Sequence, residues 1–230
     1  MVVQACSCFN LLPKGGQPCR RRRASAFGDI RTSIRWRDQI RFSVNIPTGP
    51  SSDPRRVEIL SSDDLARTVR RLASQVLEGA IDSRQLLLLG IPTRGVALAR
   101  VLAQQLEELC GHSIDHGSLD PTFHRDDLER VGTRLAEATQ LPSEIEGRHL
   151  VLVDDVIFTG RTVRAALEAL HTWGRPDLVR LLVMVDRGHR ELPVQPDFCG
   201  RLVPTSRQES IQLCLRQTDG EDGVFLIRSS

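Results

Sequence analysis

The segment His149-Leu-Val-Leu-Val153-Asp154-Asp155 constrains the chain more than any other. An unbroken apolar run has no polar face to show to water. A strand built from it must be covered on both sides, which is the position of a central strand in a parallel sheet. The two carboxylates stand where that strand ends, and in open α/β sheets the carboxyl edge is where ligands bind. A loop, Phe158-Thr-Gly-Arg-Thr162, then leads into a helix with apolar Val163, Ala166, Leu167 and Leu170, closed by Gly174 and Pro176. Such a loop offers backbone N–H groups, hydroxyls and the positive end of a helix, which together suit a phosphate. Gly160 lets the backbone approach an anion closely. No lysine follows it, so the loop is not of the Walker type.

The carboxylates precede the phosphate cradle by a few residues and would meet hydroxyls of the same small ligand. Ribose 5-phosphate has that layout, with Asp154 and Asp155 on the ribose hydroxyls and Phe158 to Thr162 on the phosphate. An acid pair alone is commonplace on a solvated surface. The whole string of strand, acid pair, Thr-Gly-x-Thr and helix is not.

The strand–turn–helix order recurs along the chain. Ser61 to Asp63 can cap a helix on which Leu65, Val69, Leu72 and Val76 fall at helical spacing, with Arg67, Arg70 and Arg71 as a basic stripe on the other face. Gln85 to Gly90 reads as a buried strand and Ile91 to Gly95 as a turn. The next helix places Ala99, Leu102, Ala103, Leu106 and Leu109 on its inner face. A strand is expected over Ser118 to His124 and a long polar stretch over Arg125 to Pro142. Further strands are expected over Leu178 to Val185, near Ile211 to Leu215 and near Gly223 to Ile227. This order implies an α/β domain with a parallel sheet and helices packed on its faces.

The net charge of +2 over 230 residues conceals an asymmetry. Residues 1–50 hold nine bases and two acids, which leaves 22 bases and 27 acids, a net charge of −5, for residues 51–230. That balance disfavours a nucleic-acid coat over the C-terminal region and leaves room only for a local basic patch. Residues 1–55 lack any sustained period and end in a proline-rich linker, so they read as a basic, disordered extension; residues 56–230 form the domain. The extension is also Arg-rich and acid-poor, as transit peptides and nucleic-acid arms are. Cys110, Cys199 and Cys214 have no ligand spacing and read as reduced thiols. Cys6-x-Cys8 with Cys19 lacks a fourth ligand nearby. No apolar run approaches the roughly 20 residues of a membrane helix, so no membrane partner is expected and the expected compartment is the cytoplasm.

The acidic strand end and its loop resemble those of the type I phosphoribosyltransferases. Further segments are similar to the PyrR family, the bifunctional pyrimidine operon regulators and uracil phosphoribosyltransferases: Gly90-Ile-Pro-Thr-Arg-Gly95, Leu119-Asp-Pro-Thr-Phe-His-Arg-Asp-Asp-Leu128, Asp186-Arg-Gly-His-Arg-Glu-Leu-Pro193 and Gly200-Arg-Leu-Val-Pro-Thr-Ser206. They run in the family's order over roughly residues 57–230. The resemblance implies a parallel-sheet type I phosphoribosyltransferase fold with helices on both faces and a small C-terminal hood. It implies conversion of uracil and 5-phosphoribosyl-1-pyrophosphate (PRPP) to UMP and pyrophosphate, with Mg²⁺ carried on the PRPP oxygens rather than in an all-protein cage.

By the same resemblance Thr93 and Arg94 bind the pyrophosphate group, and Arg125 opens a loop that closes over PRPP, with Arg134 also within its reach. Asp154, Asp155, Val156, Ile157, Phe158, Thr159, Gly160, Arg161 and Thr162 hold ribose and phosphate, Arg187 lies near the substrate, and Val203 lies by the uracil pocket. Asp154, Asp155 and Arg125 are the implied catalytic residues. His189 reads as a structural histidine. The family's second activity implies binding of pyrimidine operon mRNA in the presence of UMP, here through Arg67, Arg70 and Arg71, and a homo-oligomer. The sequence departs from RNA-binding members at Ser74 and Gly79, and from the usual tyrosines at His124 and Phe158. An RNA-binding regulator with vestigial catalysis, and a phosphoribosyltransferase for another base, are the alternatives.

Overall fold

The computed structural model describes residues 55–126, 138–142 and 144–228. The basic extension, apart from Arg55, lies outside the described residues, as do Cys6, Cys8, Cys19, Asp127 and Arg134. In chain order come β1 (Arg56–Leu60), α1 (Ser62–Gly79), β2 (Leu86–Gly90), α2 (Arg94–Cys110), β3 (Asp115–Ser118) and β4 (His149–Ile157). They are followed by α3 (Arg161–His171), β5 (Leu178–Asp186), β6 (Phe198–Leu202), β7 (Ser210–Cys214), α4 (Arg216–Asp219) and β8 (Gly223–Ile227).

A five-stranded sheet runs β3-β2-β4-β5-β6, every pair parallel. Alternate residues of its central strands feed two cores, as a period of two requires. Leu86 and Leu88 of β2, Val151 and Val153 of β4 and Leu182 and Met184 of β5 pack with α1 and α2. Leu87, Leu89, Leu150, Leu152, Leu181 and Val183 pack with Val163, Ala166, Ala169 and Leu170 of α3. Helices therefore cover both faces, and the apolar run in β4 is explained. A second, antiparallel sheet of order β1-β8-β7 forms the hood. It recruits β1 from the other end of the domain. No helix among the described residues is long and apolar enough to cross a membrane.

The capped first helix is as expected: Ser61 accepts from the N–H of Asp64 at 3.2 Å, and Leu65, Val69, Leu72 and Val76 are buried. Four expectations are corrected. The strand expected over Ser118 to His124 is instead β3, ending at Ser118, with a 3-10 turn at Thr122–His124. β3 is an edge strand without apolar alternation, so its pattern gives no register. β4 does not end at Val153 but continues through both carboxylates to Ile157, because β5 pairs with it as far as Asp186. Leu109 is half exposed, since it lies in the last turn of α2, past the buried stripe that ends at Leu106. Leu167 is exposed because the small residues Ala166 and Ala169 set the face of α3 that meets the sheet.

Candidate active site

Parallel strands bring their carboxyl ends to one edge, and inter-loop hydrogen bonds fix the segments there. The Ile91 N–H donates to Val153 O at 2.9 Å, Leu119 N–H to Gly90 O at 3.0 Å, Arg187 N–H to Ile157 O at 3.2 Å and Val203 N–H to Asp186 O at 2.8 Å. The Ile91–Gly95 turn, the 119–125 segment, the β4–α3 loop and the Asp186–Arg190 segment are thus neighbours. The peptide between Pro92 and Thr93 is cis. Gly95 is required by closeness: a Cβ there would lie 2.5 Å from Val153 O and 3.3 Å from Asp154 Cα.

A cavity of about 340 Å³ sits at this edge, lined by Arg125, Asp154, Phe158, Thr159 through Val163, and Glu191. Gly160 has φ 91° and precedes α3 with no side chain capping the helix. The loop's carbonyl oxygens are engaged from behind. Phe158 O accepts from Arg190 Nη1 at 2.9 Å, and Thr159 O accepts from the N–H groups of Glu191 and Leu192 at 3.0 and 3.3 Å. What the loop has left for a ligand is amide N–H, the Thr159 and Thr162 hydroxyls and a helix N-terminus, a set suited to a phosphate. Arg125 reaches the same place, its Nη1 donating to Thr162 Oγ1 at 3.2 Å.

Asp154 is buried at the strand end. Burial pushes its carboxyl well above the usual carboxylate range, the neighbouring charge of Asp155 adds to that, and Arg125 opposes it. Asp155 is half-buried, accepts from the Val156 N–H at 2.9 Å and does not line the cavity. Although successive strand residues face opposite ways, the carboxyl of Asp155 stays within hydrogen-bonding reach of that of Asp154, and the Asp155 N–H donates to Asp154 Oδ1 at 2.9 Å. Val156 and Ile157 complete the strand, and both contribute to the cavity wall.

Beside the β4–α3 loop lies a second cluster. The guanidinium of Arg187 stacks on Phe158 at 4.1 Å from the ring centroid. It donates to Thr205 Oγ1 at 3.0 Å and Ser206 O at 2.9 Å. Burial lowers its pKa, with Glu209 opposing. His189 meets the Phe158 ring edge-on, centroids 5.4 Å apart, and bonds Thr205 O at 2.7 Å. Val203 is partly buried against the core next to this cluster.

Residues 56–212 match the family described as the phosphoribosyl transferase domain. The bifunctional protein PyrR of Thermosynechococcus vestitus is 55% identical over 175 residues, covering 76% of this chain and 96% of that one. The chain belongs to the PyrR family. The PyrR proteins of Microcystis aeruginosa and Corynebacterium diphtheriae are 50% and 46% identical, each over 76% of this chain and over 99% and 94% of theirs. Among solved structures, a hypoxanthine-guanine-xanthine phosphoribosyltransferase superposes with TM-score 0.53 at 20% identity, covering 75% of this chain and 94% of that chain. A hypoxanthine-guanine phosphoribosyltransferase of Bacillus anthracis gives TM-score 0.58 at 13% identity over 74% and 96%. These likenesses establish the fold, that of the type I phosphoribosyltransferases.

Within this PyrR-family site, Thr93 begins α2 at the sheet edge, while the Arg94 side chain turns from the cavity to Asp219. Arg161 is part-exposed at the loop and pairs with Asp126 at 2.8 Å and Glu191 at 3.0 Å. The basic residues of α1, Arg67, Arg70 and Arg71, are all exposed on one helix, each with its own surroundings. Arg67 is exposed and paired with Asp64. Arg71 donates to Gly200 O at 2.6 Å, and Arg70 lines a separate groove between α1, α2 and α4. Sequence alone did not single out Arg190, which pairs with Asp186 and donates to Phe158 O of the β4–α3 loop, or Glu191, which lines the cavity. The only sequence signal for either is their place right after a strand-end acid. No group of three or more His, Cys, Asp or Glu among the described residues is placed to hold a metal ion.

Proposed function

We propose that this chain transfers the phosphoribosyl group of PRPP to uracil, giving UMP and pyrophosphate, and that it regulates pyrimidine operon expression in response to UMP. The observation that carries the catalytic half is the single cavity joining Asp154 to the phosphate-suited loop at the start of α3. The loop amides and the Thr159 and Thr162 hydroxyls bind the 5-phosphate. Asp154 and Asp155 hold the ribose hydroxyls. Thr93, Arg94 and Arg125 take the pyrophosphate, and Arg187 with the backbone at Val203 frames the uracil.

In the reaction the C1′–N1 bond to uracil forms, the C1′–O bond to pyrophosphate breaks, and the N1 proton of uracil is lost. Positive charge develops on the ribose and negative charge on the leaving group. Catalysis is then positioning and charge stabilisation, with Asp154 beside the ribose and Arg125 at the leaving oxygens. No covalent nucleophile is needed. The donor set fits Mg²⁺: a hard cation wants oxygen ligands and keeps its waters, and the site offers isolated carboxylates rather than a cage. Asp154 in the cavity, with Asp155 beside it, would be the residues to meet it, and bound there it would neutralise pyrophosphate charge.

The exposure of Arg67, Arg70 and Arg71 on α1 supports the regulatory half; in this reading they bind RNA, and the chain works as a homo-oligomer in the cytoplasm. The catalytic assignment is tested by replacing Asp154→Asn together with Asp155→Asn. Turnover should vanish while circular dichroism and the unfolding transition remain those of a folded protein. Normal turnover in that variant would refute the site.

A further inference from the structure

Arg94 belongs to the turn that leads into α2, yet its guanidinium points to the hood. Its Nη2 donates to Asp219 Oδ1 at 3.0 Å. Asp219 is the last residue of α4. The second oxygen of its carboxylate accepts from the Leu215 N–H at 3.0 Å, and its own N–H donates to Leu215 O at 2.7 Å. The carboxylate is thus fixed by the short helix that carries it. The ion pair is sheltered, with side chains 33% and 17% exposed. Among the described residues, Arg94 Nε is buried and has no hydrogen-bond partner.

A buried donor left unpaired is costly, and folded proteins tolerate few. The unpaired Nε is enclosed and out of a ligand's reach, so the donors open to an anion are the terminal nitrogens of this part-exposed side chain. Arginine presents its donors along more than one edge, so it can hold a carboxylate on one side and a phosphate oxygen on another; lysine, a point charge, cannot do so with fixed geometry. We infer that Asp219 is a positioning residue for the pyrophosphate turn, fixing Arg94 from the hood so that its remaining donors meet a diphosphate oxygen. This rests on the assignment of that turn to the pyrophosphate group. It also gives the hood a mechanical link to the substrate, since α4 joins β7 to β8 and β8 pairs with β1.

The test is calorimetric titration of Mg²⁺-PRPP, and separately of pyrophosphate, into the full chain. Wild type, Asp219→Ala, Asp219→Asn, Arg94→Ala and the Arg94→Ala/Asp219→Ala double variant are compared, with thermal unfolding to verify folding. Asp219→Ala should weaken both ligands roughly tenfold, the loss of one charge-assisted hydrogen bond. Asp219→Asn, which keeps an acceptor without the charge, should lose about threefold, half that free energy. In the Arg94→Ala background the Asp219→Ala change should add nothing, and the KM for uracil should stay at the wild-type value. Wild-type affinity in a folded Asp219→Ala or Asp219→Asn variant overturns the inference, as does a loss that persists without Arg94. Wild-type protein that binds neither ligand overturns the reading of the turn itself, and the inference with it.

Discussion

Gly95→Ala is the smallest change that probes how the pyrophosphate turn is set. The added methyl carbon would stand 2.5 Å from Val153 O, whereas ordinary contact begins near 3.4 Å. Turn and strand must therefore separate by about 0.9 Å, the difference between those distances. The carbonyl cannot swing aside freely, because it already accepts from the Ile91 N–H at 2.9 Å. Overpacking of this kind costs about 1–3 kcal/mol, which lowers the Tm of a domain this size by roughly 3–10 °C. The same displacement carries Thr93 and Arg94 away from Asp154. A shift on the order of 1 Å in a positioning group lowers kcat/KM by about 100-fold. Calorimetric melting and steady-state assays with varied PRPP read the two effects. An unchanged Tm together with an unchanged kcat/KM for PRPP would refute the packing argument.

Burial raises the pKa of Asp154 in the folded state above its ordinary value of 3.8. The folded protein therefore binds more protons than the unfolded chain between those two values. Stability should fall as pH rises through that window and level off above it, and Asp154→Asn should remove the slope; urea unfolding over about pH 4 to 8 measures this. If α1 contacts RNA, replacing Arg67→Ala and Arg71→Ala should lower the slope of log affinity against log salt by about 1.4, two contacts at about 0.7 each. Filter binding with UMP present, over a range of salt, reads that slope, and an unchanged slope would place RNA elsewhere.

The sequence was most legible where burial is two-sided. The apolar runs in β2, β4 and β5 admit only a central place in a parallel sheet, and the acid pair after one of them marks the edge where the cavity lies. Legibility failed at the margins. β3 is Asp-His-Gly-Ser and β6 is Phe-Cys-Gly-Arg-Leu; both are edge strands whose residues carry no alternation. β1 exists because β8 pairs with it, 164 or more residues away, and local pattern cannot report such a partner. In the site, spacing showed that Asp154 and Asp155 are adjacent. Only the continuation of β4 shows that one lines the cavity and the other does not. The pairing of Arg94 with Asp219 was not legible at all, because Asp219 lies in a short polar connection that looks like any turn.

The most direct measurement is UMP formation from labelled uracil, PRPP and Mg²⁺ by the purified chain, with hypoxanthine, adenine and orotate assayed in parallel. The account predicts UMP from uracil and no nucleotide from the other three. A nucleotide from a purine or from orotate instead of uracil, or no product from any base, would contradict it.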